Sequence, residues 1–489
     1  MGSLRLGLAL LVVVFHLELL GTGPLANAGT AAVQIFFLLS GFTIALLLAG
    51  RDAGGPLRLF YAQRLLRLLP VFLAAQAFWV LVGHERLLAY TAQLPPQSLL
   101  YYVLSNVTML GADITRAICF PTHLGACMLP TEATLDPPAW SLGPEIAFYL
   151  VAPFLVRRPQ GALLLTIAGA VVLHLTALAD QPAAAIPFIA PWKDSALRYG
   201  FYGASLVFFG LGALAWHVVR GGYRPRPVVA GALVLLVLPI PTFLPGWLAL
   251  AITVAIPALA ARTRASAVDR FAGALSYPVY LVHFPVMYAL GPWSEERTGI
   301  SGVLPAPAWI VLGTLAASVV LHLVLEVPVE RFRRSPQLAR LLRVRVRGDG
   351  GTVAPVGVRT LRVGRAAAAA YLALPFLVVC GIALAQTQQE ERVAVVALAR
   401  VTDARWVDGI GHDRMEILVT GPGATTDAFP YFARVRIAGQ DRWVHHAAPT
   451  AGGLAVRLLW QPLPGGGTVG SVPVTRKVQR AERVTDGAR

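Results

Sequence analysis

The sequence predicts an all-α polytopic membrane protein with a small β-rich domain at its C-terminal end. Three observations carry that fold class. First, 56% of the 489 residues are hydrophobic and only 13% are charged, about half the charged share of a soluble domain, and the mean hydropathy is +0.64. Second, apolar runs of about 20 residues, the length that crosses a bilayer, recur along the chain. They fall near residues 4–20, 31–50, 68–83, 144–156, 161–178, 201–219, 228–243, 246–262, 271–290 and 306–327, with an eleventh at 366–386. The run at 144–156 is short, so it extends backward or re-enters. Third, the basic residues alternate between loops. With the N-terminus inside, inside loops hold 22 of them and outside loops before the eleventh run hold 5. That asymmetry is the positive-inside bias. It accounts for the net charge of +16 and leaves no reason to invoke nucleic acid.

Taken in order, the expected units are a ten-span membrane domain over 1–334, a basic cytoplasmic linker over 335–365, an eleventh transmembrane helix over 366–386 and an extracytoplasmic domain over 387–489. The linker can lie on anionic lipid. The tail has 13 basic and 10 acidic residues, with short β-type runs at Val393–Leu398, Met415–Val419, Tyr431–Ile437 and Leu454–Leu459. Gly421-Pro422-Gly423 and Gly465-Gly466-Gly467 punctuate it. Trp406, Trp443 and Trp460 read there as core or as a sugar-stacking platform. His412, His445 and His446 read as surface residues, and no metal ligand is assigned. Arg5, the first apolar run and Ala26-Asn27-Ala28 also fit a secretory signal, but His16 and Glu18 inside that run argue for a retained helix. Cys119 and Cys127 share one polar loop and could form a disulfide if it faces an oxidising compartment. The 39 Arg against 2 Lys suggest a GC-rich bacterial genome.

Ionisable residues inside spans are costly and therefore functional candidates. Arg5 and His16 are eleven residues apart, about three helical turns and about 16 Å, so they share a face of the first span. Arg5 is either an inside anchor or a fixed cation for an anion entering from the cytoplasm. His16 is either a core histidine or a group that exchanges a proton. Ser40-Gly41 in the second span permits close helix packing. Arg64 and Arg67, at i and i+3, serve topology or bind phosphate. Glu145 opens a helix behind Ser141 and Pro144, where the helix dipole alone explains a carboxylate. Its position at the outer mouth also makes it a partner for His16. His174, His217 and His322 remain, as satisfied core residues or as a proton relay.

These pieces, in order, resemble the acyltransferase 3 family of integral membrane O-acyltransferases, the bacterial polysaccharide acetylase type. Arg5 to His16 resembles its Arg-x10-His. Gln34 to Ile44 resembles the second-span phrase F-F-x-L-S-G-F-x-I. Phe60 to Pro70 resembles F-x-x-R-x-x-R-x-x-P, and Trp140 to Tyr149 resembles W-S-L-x-x-E-x-x-F-Y. Leu275 to His283 resembles S-Y-x-x-Y-L-x-H, and Glu326-Val327-Pro328 resembles E-x-P. The resemblance implies a ten-helix acyltransferase core that passes an acyl group, acetyl by preference, from cytoplasmic acyl-CoA to a hydroxyl of a surface glycan or lipid-linked sugar. No permanently bound cofactor is implied.

By the same carry-over His16, Arg5 and Glu145 are the catalytic set. Arg64, Arg67 and Ser40 hold the CoA, and Trp140, Ser141, Tyr280, His283 and Glu326 are substrate-contacting or structural. Gln34 stands where the family often has an acid, and Val327 where it often has a base. The expected location is a bacterial inner membrane, with lipid, acyl-CoA and acceptor glycan as partners. A polysaccharide-assembly partner would dock through 387–489. The rival readings are a proton-coupled transporter or glycolipid flippase, and a non-catalytic scaffold.

Overall fold

The computed structural model describes residues 1–17, 27–51, 56–92, 94–111, 134–178, 200–263, 266–301 and 306–342, single residues at 19, 25 and 113, most of 366–377, and the tail's strands between 393 and 473. Among these, helices occupy Gly2–His16 (α1), Ala28–Ala45 (α2), Leu57–Thr91 (α3), Pro96–Thr108 (α4), Leu142–Leu155 (α5), Pro159–Leu178 (α6), Tyr202–Val219 (α7), Pro227–Val237 (α8), Gly246–Thr263 (α9), Ala267–Ser301 (α10), Ala306–Leu321 (α11), Val327–Arg334 (α12) and Pro336–Leu341 (α13). Among the described residues, six helical stretches are long and apolar enough to cross a membrane. They are 28–49, 57–83, 159–176, 202–219, 246–263 and 307–334. Three further expected runs carry shorter helices: α1 has 15 residues, α5 has 14 and α8 has 11. The expected lengthening of the 144–156 run is a 3₁₀ turn at Pro137–Ser141 leading into α5. Helix α4 was not expected. Its apolar side chains Leu100, Val103, Leu104 and Val107 are exposed while Ser98, Tyr102, Ser105 and Asn106 are buried, so its sequence does not read as an apolar span.

Helix α7 is the axis of the bundle. It is buried continuously from Tyr202 to His217 and packs on α2 and α6. Glycines set those distances. A Cβ at Gly212 would stand 1.9 Å from the Leu38 carbonyl oxygen, one at Gly41 would stand 2.1 Å from that of Phe209, and one at Gly169 would stand 2.1 Å from the Val207 nitrogen. Lipid offers helices no hydrophobic incentive to associate, so close backbone approach supplies the packing.

Helix α1 packs parallel to α10 and is part of the bundle, with Leu8, Ala9, Val12 and Val13 buried. The Asp269 carboxylate of α10 accepts the amide N–H groups of Gly2 (2.8 Å) and Ser3 (2.9 Å) and the Ser3 hydroxyl (3.0 Å). An anion is well placed at a helix N-terminus. The tie also fixes register. His16 follows Gly2 by as many residues as His283 follows Asp269, so two parallel helices of equal rise bring those histidines level.

Other polar side chains pin the turns. Gln34 is buried; its amide donates to the Thr242 hydroxyl and its carbonyl accepts the Leu244 N–H (2.7 Å). That holds the turn between α8 and α9, so an amide at this position is a structural pin. His217 bonds the Val156 carbonyl oxygen (2.8 Å) and His174 that of Leu236 (2.9 Å).

The tail's strands are β1 (Val393–Val395), β2 (Arg400–Val407), β3 (Arg414–Thr420), β4 (Arg434–Ile437), β5 (Gln440–Thr450), β6 (Gly453–Leu459), β7 (Thr468–Val469) and β8 (Val472–Pro473). The first six form one sheet ordered β1-β4-β5-β6-β3-β2, antiparallel except for β1 with β4. Ile417 and Val419 on β3 alternate inward beside Leu454 and Val456 on β6, and all four are buried. Trp460, His412, Cys119, Cys127 and Cys380 lie outside the described residues, as does most of the linker beyond α13.

Of the segment expected as an eleventh helix, residues 366, 368–374 and 377 are described, and all are helical. Tyr371 stacks on Tyr202, the first residue of α7, with ring centroids 4.7 Å apart, and its carbonyl accepts the Tyr202 hydroxyl (3.0 Å). The Tyr202 amide meets Asp113 at 3.2 Å. The Tyr202 ring thus offers the partly buried Tyr371 a stacked site.

Candidate active site

A cavity with an open mouth lies between α1, α2, α3, α5 and α10. Arg5, Arg64 and Arg67 line it, with Ser40, Thr43, Glu145 and Tyr149 beside them and Phe36, Ser141, Tyr277 and Tyr280 further in. Each arrives by a local reason. Arg64 and Arg67 are one turn apart on α3, so both face the cavity; Arg64 is 8% exposed, while Arg67 is exposed at the mouth. Ser40 and Thr43 are likewise a turn apart on α2. Glu145 and Tyr149, at i and i+4 on α5, share a face.

The polar groups form two linked sets. In the first, the Arg5 Nη2 donates to the Thr43 hydroxyl (3.0 Å), which donates in turn to the Leu39 carbonyl (2.8 Å). Glu145 Oε1 accepts the Ser40 hydroxyl (2.9 Å) and the Tyr149 hydroxyl. Arg5 Nε and Arg64 Nε are buried without an acceptor among the described residues. Three guanidiniums against one carboxylate leave the cavity with an excess of positive charge and with N–H groups unbonded, which is costly in a buried place.

The second set lies deeper. The Ser141 and Tyr280 hydroxyls are 2.9 Å apart, and each is 3.1 Å from the Pro138 carbonyl oxygen. Tyr280 lines the cavity with its ring, and its backbone carbonyl lies 2.8 Å from His283 Nδ1. His283 Nε2 is 3.0 Å from His16 Nδ1. Phe284 meets the His16 ring edge-on at 4.7 Å. The two histidines thus stand one residue layer beyond the cavity wall.

Arg5, Ser40, Arg64, Arg67, Ser141, Glu145 and Tyr280, all singled out in the sequence, converge on one cavity. One expectation changes: Glu145 turns to Ser40 and Tyr149, while His16 pairs with His283, and α5 points that carboxylate toward the arginines. Of the residues expected as substrate-contacting or structural, two are structural. Glu326 pairs with His322 (2.8 Å, i and i+4) across the π-helical turn 322–326 and does not line the cavity. Trp140 is buried and does not line it either. The proposed relay histidines are separate: His174 and His217 each bond a backbone carbonyl, and His322 bonds Glu326.

Sequence reasoning passed over Tyr149, Thr43 and Tyr277, although helical spacing from Glu145 and Ser40 pointed to the first two. It also passed over Asp136, in the loop before the 3₁₀ turn. Asp136 is fully buried, neither carboxylate oxygen has a partner among the described residues, and burial pushes its carboxyl well above the usual range.

The described helices thus form a multi-pass bundle with a cation-lined cavity and a histidine pair beyond its wall. Residues 2–325 match the family model described as an acyltransferase domain. The chain therefore belongs to the acyltransferase 3 family and is a membrane acyltransferase. No curated protein and no solved structure matches it.

Proposed function

We propose that this protein transfers an acyl group, acetyl by preference, from cytoplasmic acyl-CoA to a hydroxyl of an extracytoplasmic glycan or lipid-linked sugar. The observation that carries the reading is the cavity's unbonded Arg5 and Arg64 N–H groups on one side and the His16–His283 pair beyond the other. Arg5, Arg64 and Arg67 bind the anionic phosphates of CoA, for which guanidinium geometry is suited. Glu145, Ser40 and Tyr149 keep the excess charge ordered. The acyl-thioester arm extends toward Ser141 and Tyr280, and one of their hydroxyls turns from the Pro138 carbonyl to donate to the developing oxyanion.

His16 takes the proton of the acceptor hydroxyl, the oxygen attacks the thioester carbon, the carbon–sulfur bond breaks, and the thiolate recovers the proton. A transient acyl-imidazole on His16 is the alternative route. Trapping such a species with acyl-CoA alone would favour it. The ten-span topology with an inside N-terminus, a bacterial inner membrane and an extracytoplasmic role for residues 387–489 in placing the acceptor or a partner complete the reading. Its test is mass spectrometry of surface glycans in a null strain, the null carrying the wild type, and the null carrying His16→Ala. An acyl-sized mass restored only by the wild type is expected. Equal restoration by the variant removes His16 from the mechanism. No difference between null and wild type, with expression confirmed, removes the acyl-transfer reading.

A further inference from the structure

We propose that His283 is a positioning residue that sets which nitrogen of His16 is the base. The argument is one of donors and acceptors. The Tyr280 carbonyl oxygen can only accept, so the His283 nitrogen 2.8 Å from it, Nδ1, carries a proton. His283 has no exposed surface, and a neutral ring is far cheaper to bury than an imidazolium. Its Nε2 is then a lone pair. That lone pair faces His16 Nδ1 at 3.0 Å, so His16 must be the donor in this contact, with its proton on Nδ1. The lone pair of neutral His16 is consequently on Nε2, the nitrogen pointing away from His283.

This order of groups, carbonyl to His283 to His16, does what a carboxylate does behind a catalytic histidine: it fixes the tautomer and the ring plane. Packing supports the same orientation. The two ring planes are tilted by only 27° with centroids 5.1 Å apart, so the rings lie nearly end to end through the facing nitrogens, and the Phe284 edge closes another side of His16. The register tie at Asp269 is what brings the rings level. Because the carbonyl belongs to Tyr280, whose ring lines the cavity, the histidine pair and the cavity wall are held by one turn of α10.

The tautomer assignment rests on geometry alone, and its catalytic consequence rests on the proposed acyl transfer. The test therefore has two readouts. Full-length protein labelled with ¹⁵N-histidine is placed in lipid bilayers, and the His16 signals are identified by their loss in His16→Gln. At a pH where His16 is neutral, the wild type is expected to carry its proton on Nδ1. In His283→Leu, which removes the acceptor, the proton is expected to move toward Nε2. In His283→Gln, whose side-chain carbonyl can accept from His16, it stays on Nδ1.

Transfer from radiolabelled acetyl-CoA to null-strain membranes gives the second readout. His283→Leu is expected to lower kcat by about 10- to 100-fold, the usual cost of losing an orienting partner. KM for acetyl-CoA is expected to stay within about a factor of two, and His283→Gln to recover most of the rate. A wild-type His16 protonated on Nε2, a tautomer unmoved in His283→Leu, or an unchanged kcat in that variant would each overturn the proposal. If His283→Leu does not fold, the wild-type spectrum and the Gln variant still decide it. If wild-type protein transfers no acetyl group, the functional reading fails while the spectrum judges the tautomer separately.

Discussion

Gly212→Ala is the sharpest probe of how this bundle holds its cavity. The added methyl would begin 1.9 Å from the Leu38 carbonyl oxygen and 2.8 Å from the Phe42 nitrogen. Both are backbone atoms, so no rotamer change relieves them. Helices α2 and α7 must separate by about 1.5 Å before that carbonyl contact becomes ordinary, at 3.4 Å. Overpacking of this kind costs about 1–3 kcal/mol, and a backbone obstacle places it at about the upper end of that range. The shift also acts on function, because Ser40 lies on the displaced helix and reaches Glu145 at 2.9 Å. The assay is thermal stability in detergent, followed by the fraction that remains monodisperse. Gly7→Ala and Gly231→Ala serve as controls, since a Cβ at either meets nothing within 4 Å and alanine gains helix propensity of about 1 kcal/mol. A Gly212→Ala protein that melts with the wild type, while the controls behave as expected, would refute the close α2–α7 approach.

Arg64→Ala should raise KM for acetyl-CoA about 10- to 100-fold, the worth of a charge-assisted hydrogen bond, and steady-state kinetics at fixed ionic strength checks it. Gln34→Ala leaves the buried Leu244 N–H without its acceptor and should destabilise by about 1–3 kcal/mol, whereas Gln34→Glu keeps that acceptor and should melt closer to the wild type. Asp136 gives a pH signature. Its carboxyl is pushed up by burial, so its folded form favours the proton; the stability it allows is full below the ordinary aspartate range and declines as pH rises toward its raised value. Asp136→Asn should therefore melt higher than the wild type at neutral pH, with the gap closing toward acidic pH; a gap that widens on acidification would contradict a buried, unpaired carboxyl. In a cysteine-free background, a cysteine at Arg224 should be labelled only from the cytoplasm and one at Thr450 only from outside; the reverse would invert the proposed orientation.

Much of the site was readable one helix at a time. Arg64 with Arg67, and Glu145 with Tyr149, are spaced at i+3 and i+4, and such spacing places two side chains on one face whatever lies opposite. Partners across helices were not readable in this way. Glu145 was expected beside His16 and meets Ser40 and Tyr149, because the roll of α5 is set by its neighbours. Glu326 was expected near the path and folds back on His322 through a π-helical turn that hydropathy does not encode. That Tyr371 stacks on Tyr202 was likewise not readable, because the two residues lie on helices distant in sequence.

By itself the sequence determined the membrane class, the apolar helices, the clustering of arginine at one end and the family. These follow from composition and short-range periodicity, which act within a single helix and need no partner. The tertiary structure decided which polar groups meet. Two glycines let α2 and α7 close to backbone contact, and Asp269 sets α1 against α10 so that His16 arrives level with His283. Such pairings depend on distances of an ångström between segments far apart in the chain, as Leu38 is from Gly212 and His16 from His283. Only a packed bundle fixes distances of that kind, because each one is the joint outcome of all the contacts around it.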